Sequence, residues 1–262
     1  MTNRHEQPLD GKRKFFVRLG LEVRRAFALH KKSGLWDREK GKRAWGNVSE
    51  HCLVEVARAQ IFADILNFPE DIKSDIMMAA ALHDFFKKME KEIASANGFS
   101  WEGFEKASTE STQIMKEAGF SERVVRLANS VGHGALLEAD GILGKMELTP
   151  EDMAYLALHY IDAYTKGSDW ATPAETLPDG RKVNDLDLRA DKDESNPWYP
   201  RLNEDGRERL RGETTGMARR RIEPAIEERL AASIQQITGQ PMHSKDLPVF
   251  IDAAIRESIE SA

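Results

Sequence analysis

The chain has 262 residues, of which 40% are hydrophobic and 31% are charged, and this balance excludes a wholly disordered protein. Its formal net charge is −6, from 38 basic and 44 acidic residues, which argues against a broad binding surface for nucleic-acid polymers. A small phosphorylated molecule stays compatible with this charge, because a single pocket can be positive on an acidic protein.

Apolar residues recur with helical spacing along most of the chain, and no segment alternates between apolar and polar residues as a strand does. We therefore predict an all-α fold. In the first half of the chain the predicted helices cover about residues 13–30, 49–66, 70–96, 104–118 and 121–131, and a charged loop covers residues 35–46.

The clearest helix start is Thr149-Pro150-Glu151-Asp152, where a capping hydroxyl is followed by a proline and two acids in the first turn. This helix is predicted to end near Lys166. Prolines and mixed charges over residues 168–212 show no helical face, which predicts a long loop insertion. Two C-terminal helices, over about 217–237 and 247–261, complete a single predicted domain of residues 1–262.

The longest apolar run, Ile76 to Leu82, has seven residues, whereas a membrane-spanning helix needs about 20. The apolar stretch near the N-terminus is too short for the core of a signal peptide. The single cysteine, Cys52, excludes an intramolecular disulfide framework and a cysteine-rich zinc module. We therefore expect a cytoplasmic protein without a membrane segment, and homo-oligomer formation stays open.

His83 and Asp84 lie in an otherwise apolar part of the third predicted helix. A buried carboxylate without partners costs several kcal/mol, so Asp84 needs a cation or hydrogen-bond donors beside it. Side chains of consecutive helical residues diverge by about 100°, and both can therefore reach one metal ion beside the helix. We interpret the pair as metal ligands; a core histidine bonded to a neighbouring group is the alternative for His83.

Two further candidate ligands lie on other predicted helices. His51 lies in the first turn of the second helix, and Asp162 lies in the helix that starts at Thr149. One divalent ion held by this set would keep two octahedral positions for water and substrate; the set is His51, His83, Asp84 and Asp162. Mixed imidazole and carboxylate ligands suit Mn, Fe, Co, Ni or Zn, and Mg is also kept as a candidate cofactor.

A histidine, then His-Asp, then an aspartate, in this order on a helical chain, resembles the pattern of the HD-domain metal-dependent phosphohydrolase superfamily. The spacing is similar as well, with 32 positions from His51 to His83 and 78 from Asp84 to Asp162. The string Asn47-Val48-Ser49-Glu50-His51 resembles the first-histidine motif of the bacterial 5′-deoxynucleotidase branch. The resemblance covers about residues 45–166 and implies an HD-like helical core there.

The resemblance implies an enzyme in which metal-activated water cleaves a phosphate ester, with a nucleotide as the expected substrate. Asp84 would orient or deprotonate that water. The nucleotidase branch has an acidic residue where this chain has Lys87, and a lysine is similar to branches that cleave dinucleotides and cyclic dinucleotides. Lys87 would then neutralise charge on a phosphoryl oxygen, and a solvated lysine at a helix end is the alternative.

His133 lies between two glycines, and we expect it to contact the phosphate or to complete a second metal site, as in HD branches with extra histidines. A plain loop histidine is the alternative. His159, one turn before Asp162, is interpreted as a packing residue or one that orients Asp162. The run Arg219-Arg220-Arg221 is interpreted as a solvated helix face.

Two other functions stay open. Some HD-superfamily members resemble this ligand set but hold two irons and oxidise small organic substrates with oxygen, and His133, with or without His159, makes that alternative relevant here. The second alternative is non-enzymatic: either the metal is structural, or the domain binds a nucleotide as a sensor without catalysis. Metal content separates the first alternative from a mononuclear phosphohydrolase.

Overall fold

The computed structural model describes residues 7–35, 47–170, 180, 186–196 and 199–260. These residues form helices and connecting turns, and no strand occurs among them, which confirms the predicted all-α class. None of the described helices combines the length and the apolar character that crossing a membrane requires. The loop predicted over residues 35–46 lies, apart from Leu35, outside the described residues.

The first seven helices are Gln7–Arg18 (α1), Leu21–Lys32 (α2), Val48–Ile65 (α3), Glu70–Leu82 (α4), Lys87–Ala96 (α5), Trp101–Glu117 (α6) and Glu122–Ala128 (α7). A 3₁₀ turn at Asn129–Val131 follows, and a second one occurs at Ser244–Asp246. The remaining helices are Ala135–Leu143 (α8), Pro150–Tyr164 (α9), Leu186–Ser195 (α10), Pro200–Arg209 (α11), Thr215–Thr238 (α12) and Leu247–Glu260 (α13).

The helix predicted over residues 70–96 is in fact two helices. The first ends at Leu82 and the second begins at Lys87. Between them, backbone hydrogen bonds join residues three positions apart, including one from the Phe85 N–H to the Leu82 carbonyl at 3.0 Å. No proline or glycine marks this break, so apolar periodicity alone predicts a continuous helix. The predicted first helix is likewise divided, because α1 ends at Arg18 and α2 begins after Gly20.

The prediction of a loop over residues 168–212 is wrong for its described part, which contains α10 and α11. Short charged helices carry little periodicity, and α10 is instead held by tertiary contacts with α12. Arg220 of α12 forms ion pairs with Asp191 at 2.6 Å and with Glu194 at 2.8 Å, both on α10. Residues 171–179, 181–185 and 197–198 lie outside the described residues.

Helices α3, α4 and α9 pack against one another at the centre of the fold. Nearly every side of α3 and α9 is buried, and the rings of Phe62 and Tyr160 meet across them with centroids 6.2 Å apart. The start of α9 is built as predicted, since Thr149 Oγ1 accepts the Asp152 N–H at 3.1 Å and the Asp152 carboxylate accepts the Thr149 N–H. The polar residues on these three helices therefore come together inside the protein.

Candidate metal centre

Four side chains with metal-ligating atoms meet where α3, α4 and α9 pack together. His51 and Glu55 lie one turn apart on α3, His83 directly follows α4, and Asp162 lies in the last turn of α9. One ligand atom from each residue lies within 4.8 Å of all the others. We call these four residues the cluster. The structure thus brings together three of the four predicted ligands and adds Glu55.

Glu55 joins the two histidines of the cluster. Its Oε1 lies 3.0 Å from Nε2 of His51, and its Oε2 lies 3.0 Å from Nε2 of His83. Oδ1 of Asp162 lies 3.8 Å from each of the two Nε2 atoms. Two ligand atoms bonded to one ion at about 2.1 Å lie about 3.0 Å apart at a right angle, so the spacing of the cluster suits one divalent ion.

The other ring nitrogen of each histidine is held by the backbone. Nδ1 of His51 lies 2.7 Å from the Gly167 carbonyl oxygen, and Nδ1 of His83 lies 2.9 Å from the Ala80 carbonyl oxygen. A carbonyl can only accept, so Nδ1 carries the proton and donates it in both rings. This tautomer turns the Nε2 lone pairs of both histidines toward Glu55 and Asp162, which is how histidines are oriented for metal binding.

Several buried atoms of the cluster lack hydrogen bonds. When both histidines are neutral and carry their proton on Nδ1, both Glu55 oxygens and Nε2 of His83 are inaccessible to solvent and have no hydrogen-bond partner among the described residues. The Glu55 side chain is 0% exposed. A buried carboxylate in this condition is costly unless a cation compensates it. The residues present therefore fit a divalent metal ion, which would satisfy all of these atoms at once.

The electrostatics of the cluster also favour a cation. Burial alone would lower the pKa of His51, but Glu55 and Asp162 outweigh it and hold that pKa well above the ordinary value of 6.5. Burial would raise the pKa of Asp162, but Arg189 and His51 outweigh it, and this pKa lies well below its usual range. A proton on His51 and a metal ion are attracted by the same carboxylates and compete for them.

Asp84, a predicted ligand, lies beside the cluster and is not one of its four members. Its Oδ2 is 3.9 Å from Nε2 of His83, and its Oδ1 is 3.3 Å from Nζ of Lys87. Burial acts to raise the pKa of Asp84, but the Lys87 ammonium outweighs it and lowers this pKa. Lys87 also contacts Glu90 at 3.3 Å, and its own pKa is raised by these carboxylates against the effect of burial.

A cavity of about 590 Å³ adjoins the cluster. Its charged wall includes His83, Asp84, Asp162, Lys87, Arg189 and Arg219. Rings line another part of it, namely those of Trp101, Phe104, His133, Tyr155 and Tyr199. Arg219 is 1% exposed and forms a buried pair with Glu223, so the prediction of a solvated face is wrong for this residue of the arginine run.

The two additional histidines lie outside the cluster. The His133 ring packs against Phe104 at a centroid distance of 5.3 Å and against Tyr199 at 5.9 Å, which places it on the aromatic wall of the cavity. His159 is buried; its Nδ1 donates to the Ser130 carbonyl at 2.6 Å, and its Nε2 lies 3.7 Å from Glu223. His159 is thus a buried packing residue, which is one of the two roles predicted for it, and its described contacts do not include Asp162.

Sequence reasoning missed Glu55 and Arg189. A signal for Glu55 exists, because it lies four positions after His51, on the same helix face, between apolar residues. Arg189 lies in a segment without helical periodicity, and no local signal indicates that it reaches Asp162. Comparisons with known proteins add no relative, since no protein-family model, curated protein or solved structure matches the chain.

Proposed function

We propose that the protein is a metal-dependent phosphohydrolase of the HD-domain type, which cleaves a phosphate ester and takes a nucleotide as its substrate. One observation carries the proposal. Two members of the metal-fitting cluster, His83 and Asp162, line the same cavity as two cations, Lys87 and Arg189. A phosphate group needs both a metal ion and positive charge beside it, and this cavity offers positions for both.

The cluster residues would hold the ion, with His51 and His83 as nitrogen ligands and Glu55 and Asp162 as oxygen ligands. A divalent ion bound there supplies a Lewis acid for a phosphoryl oxygen and lowers the pKa of a bound water. Mn, Fe, Co, Ni, Mg and Zn all remain candidates for this mixed ligand set.

Asp84 has the position and the charge to orient the attacking water. It lies next to the cluster on the cavity wall, and its lowered pKa keeps it ionised at neutral pH. An ionised carboxylate accepts hydrogen bonds, and we therefore assign Asp84 to orienting the attacking water.

Lys87 supplies a fixed positive charge for the phosphoryl oxygens. Its ammonium lies 3.3 Å from Asp84 and stays charged because Asp84 and Glu90 raise its pKa. The volume of the cavity, about 590 Å³, lies within the range of small-ligand pockets and accommodates a molecule the size of a nucleotide. Phe104, His133 and Tyr199 offer ring surfaces on which a base could stack.

The test is metal content and phosphate release from protein purified without a histidine tag. Elemental analysis should give about one divalent ion per chain, and a panel of nucleotides should include a substrate that releases phosphate. His83→Gln should lose both properties. His243→Gln is the matched control, because His243 is exposed at the 3₁₀ turn before α13.

Three outcomes would contradict the proposal. One is a protein that takes up no ion after incubation with Mn, Co or Fe. Another is a His83→Gln variant with unchanged metal content and activity. The third is a content of two irons per chain, which would favour the oxygenase alternative, although neither His133 nor His159 belongs to the described cluster.

A further inference from the structure

Arg189 brings a positive charge from α10 to the edge of the cluster. Its Nη1 lies 2.6 Å from Oδ2 of Asp162. The other oxygen of Asp162, Oδ1, lies 3.8 Å from Nε2 of His51 and from Nε2 of His83. Asp162 therefore faces the cluster with one oxygen and Arg189 with the other, and the guanidinium lies directly beside the candidate metal position.

The Arg189 side chain is also accessible from the cavity. It lines the cavity together with Lys87, and the Arg189 side chain is 23% exposed to solvent. A guanidinium has five N–H donors in a planar fork that matches two oxygens of a phosphate group. Because a guanidinium has several donors on different edges, it can serve Asp162 and an anionic ligand in the cavity at the same time.

On the basis of the proposed function, we propose that Arg189 is a substrate-binding residue that donates hydrogen bonds to the phosphoryl oxygens of the substrate. Arg189 and Lys87 then contact the phosphate group together, while Asp84 orients the water. Residues 168–212, predicted from the sequence to be a loop insertion, thus contribute through α10 a side chain that contacts the reacting group.

The balance of charge at the site supports this role. Four carboxylates belong to the cluster or contact its neighbours, namely Glu55, Asp84, Glu90 and Asp162, and they exceed the two cations, Lys87 and Arg189, by two charges. A divalent ion offsets this difference. Without Arg189 the site with its ion would carry one net negative charge, which repels a phosphate group.

The test compares Arg189→Gln with Arg220→Gln. Arg220 fixes α10 to α12 through Asp191 and Glu194 and is absent from the described lining of the cavity. Its substitution therefore controls for a general loosening of α10. Each protein is titrated calorimetrically, first with Mn²⁺ alone and then, in the Mn²⁺-loaded form, with inorganic phosphate.

We expect Arg189→Gln to weaken phosphate binding by about 10- to 100-fold, as the loss of charged hydrogen bonds does, with Mn²⁺ affinity within about threefold of the unmodified protein. Arg220→Gln should bind phosphate like the unmodified protein. Equal phosphate affinity in Arg189→Gln and the unmodified protein would overturn the inference and leave the proposed function standing.

Two other results of the same titrations would have different consequences. Loss of Mn²⁺ binding in Arg189→Gln would overturn the inference by showing that Arg189 acts only by holding Asp162 in place. An unmodified protein that binds Mn²⁺ but no phosphate would contradict the proposed function itself, and the inference with it.

Discussion

Nδ1 of His51 donates to the carbonyl oxygen of Gly167 across 2.7 Å, and the two residues are 116 positions apart in the chain. This single bond decides which nitrogen of His51 faces the cluster. Its geometry depends on the segment that follows α9, because Gly167 has a left-handed backbone with φ of 68°. The orientation of a candidate ligand on α3 is therefore set by residues beyond α9.

Arg58 holds this segment in place from inside the core. It is 1% exposed, and its Nη1 donates to the Thr165 hydroxyl at 2.6 Å. Its Nη2 donates to the Trp170 carbonyl at 3.4 Å and to the Asp252 carboxylate of α13 at 3.2 Å. Both ends of the segment that contains Gly167 are thus bonded to one buried guanidinium.

Thr165→Val should weaken metal binding without unfolding the protein. It removes the hydroxyl that accepts from Arg58, so Gly167 loses part of its support and His51 loses its fixed orientation. Substitutions of groups that orient ligands cost about 10- to 100-fold in metal affinity, and we expect about 10-fold here, measured by Mn²⁺ titration calorimetry. Thr238→Val is the control, since Thr238 makes the same hydroxyl bond to the carbonyl four residues earlier. Equal Mn²⁺ affinities in the two variants would contradict this account.

Glu55→Gln should abolish stabilisation of the fold by metal. The unmodified protein should gain about 2.7 kcal/mol in free energy of unfolding when Mn²⁺ is present at 100 times its dissociation constant. A chelator should remove this gain, and Glu55→Gln should show none, because an amide replaces the carboxylate that faces both histidines. Urea unfolding measures each value. Glu50→Gln, on the same helix and bonded to Lys12, should keep the gain, and a metal-stabilised Glu55→Gln would refute the assignment.

Lys87→Gln should slow phosphate release by about 100-fold, the cost typical of removing a group that stabilises developing charge. Its metal content should not change, since Lys87 contacts Asp84 and Glu90 and no member of the cluster in the described contacts. Steady-state rates and elemental analysis on the same preparation measure both quantities. The neighbouring Lys88→Gln is the control. A Lys87→Gln protein with normal turnover would show that this lysine only neutralises Asp84 and Glu90.

His30 should make the fold sensitive to acid. It is fully buried between the Ser49 hydroxyl and the Ala81 carbonyl, and burial outweighs its bond to Ala81 and lowers its pKa to about 4. Because this pKa lies below the unfolded value of 6.5, the stabilising contribution is complete above pH 6.5 and is lost as the pH falls toward 4.

We expect this loss to reach about 3 kcal/mol, because the pKa of His30 is 6.5 in the unfolded chain and about 4 in the folded protein. Urea unfolding of the unmodified protein and of His30→Gln between pH 7.5 and pH 4 isolates it, because acidic groups titrate in both. The unmodified protein should lose more stability over this interval. Parallel pH dependences in the two proteins would contradict the prediction.

The all-α class and the meeting of His51, His83 and Asp162 follow from local patterns. Each of these residues is polar within an apolar helical stretch, and helices that are apolar on most faces must pack at the centre. Glu55 could have been predicted in the same way, because it lies four positions after His51 on α3. It was not predicted because glutamate is common on helices and is seldom buried.

The break after Leu82 and the position of Arg189 depend on tertiary structure. No breaker residue ends α4, so the turn that separates His83 and Asp84 from α5 is selected by packing. Arg189 reaches Asp162 because α10 packs against α12 and faces the end of α9. Contacts between segments far apart in the chain leave no trace in local periodicity.

Two arginines of the cavity wall come later in the chain than the cluster. Every cluster residue occurs by position 162, whereas Arg189 and Arg219 belong to helices that follow. During synthesis from the N-terminus, α3, α4 and α9 therefore leave the ribosome before α10 and α12 do. Until those later helices pack, the candidate ligands are open on the side that Arg189 and Arg219 cover in the folded protein.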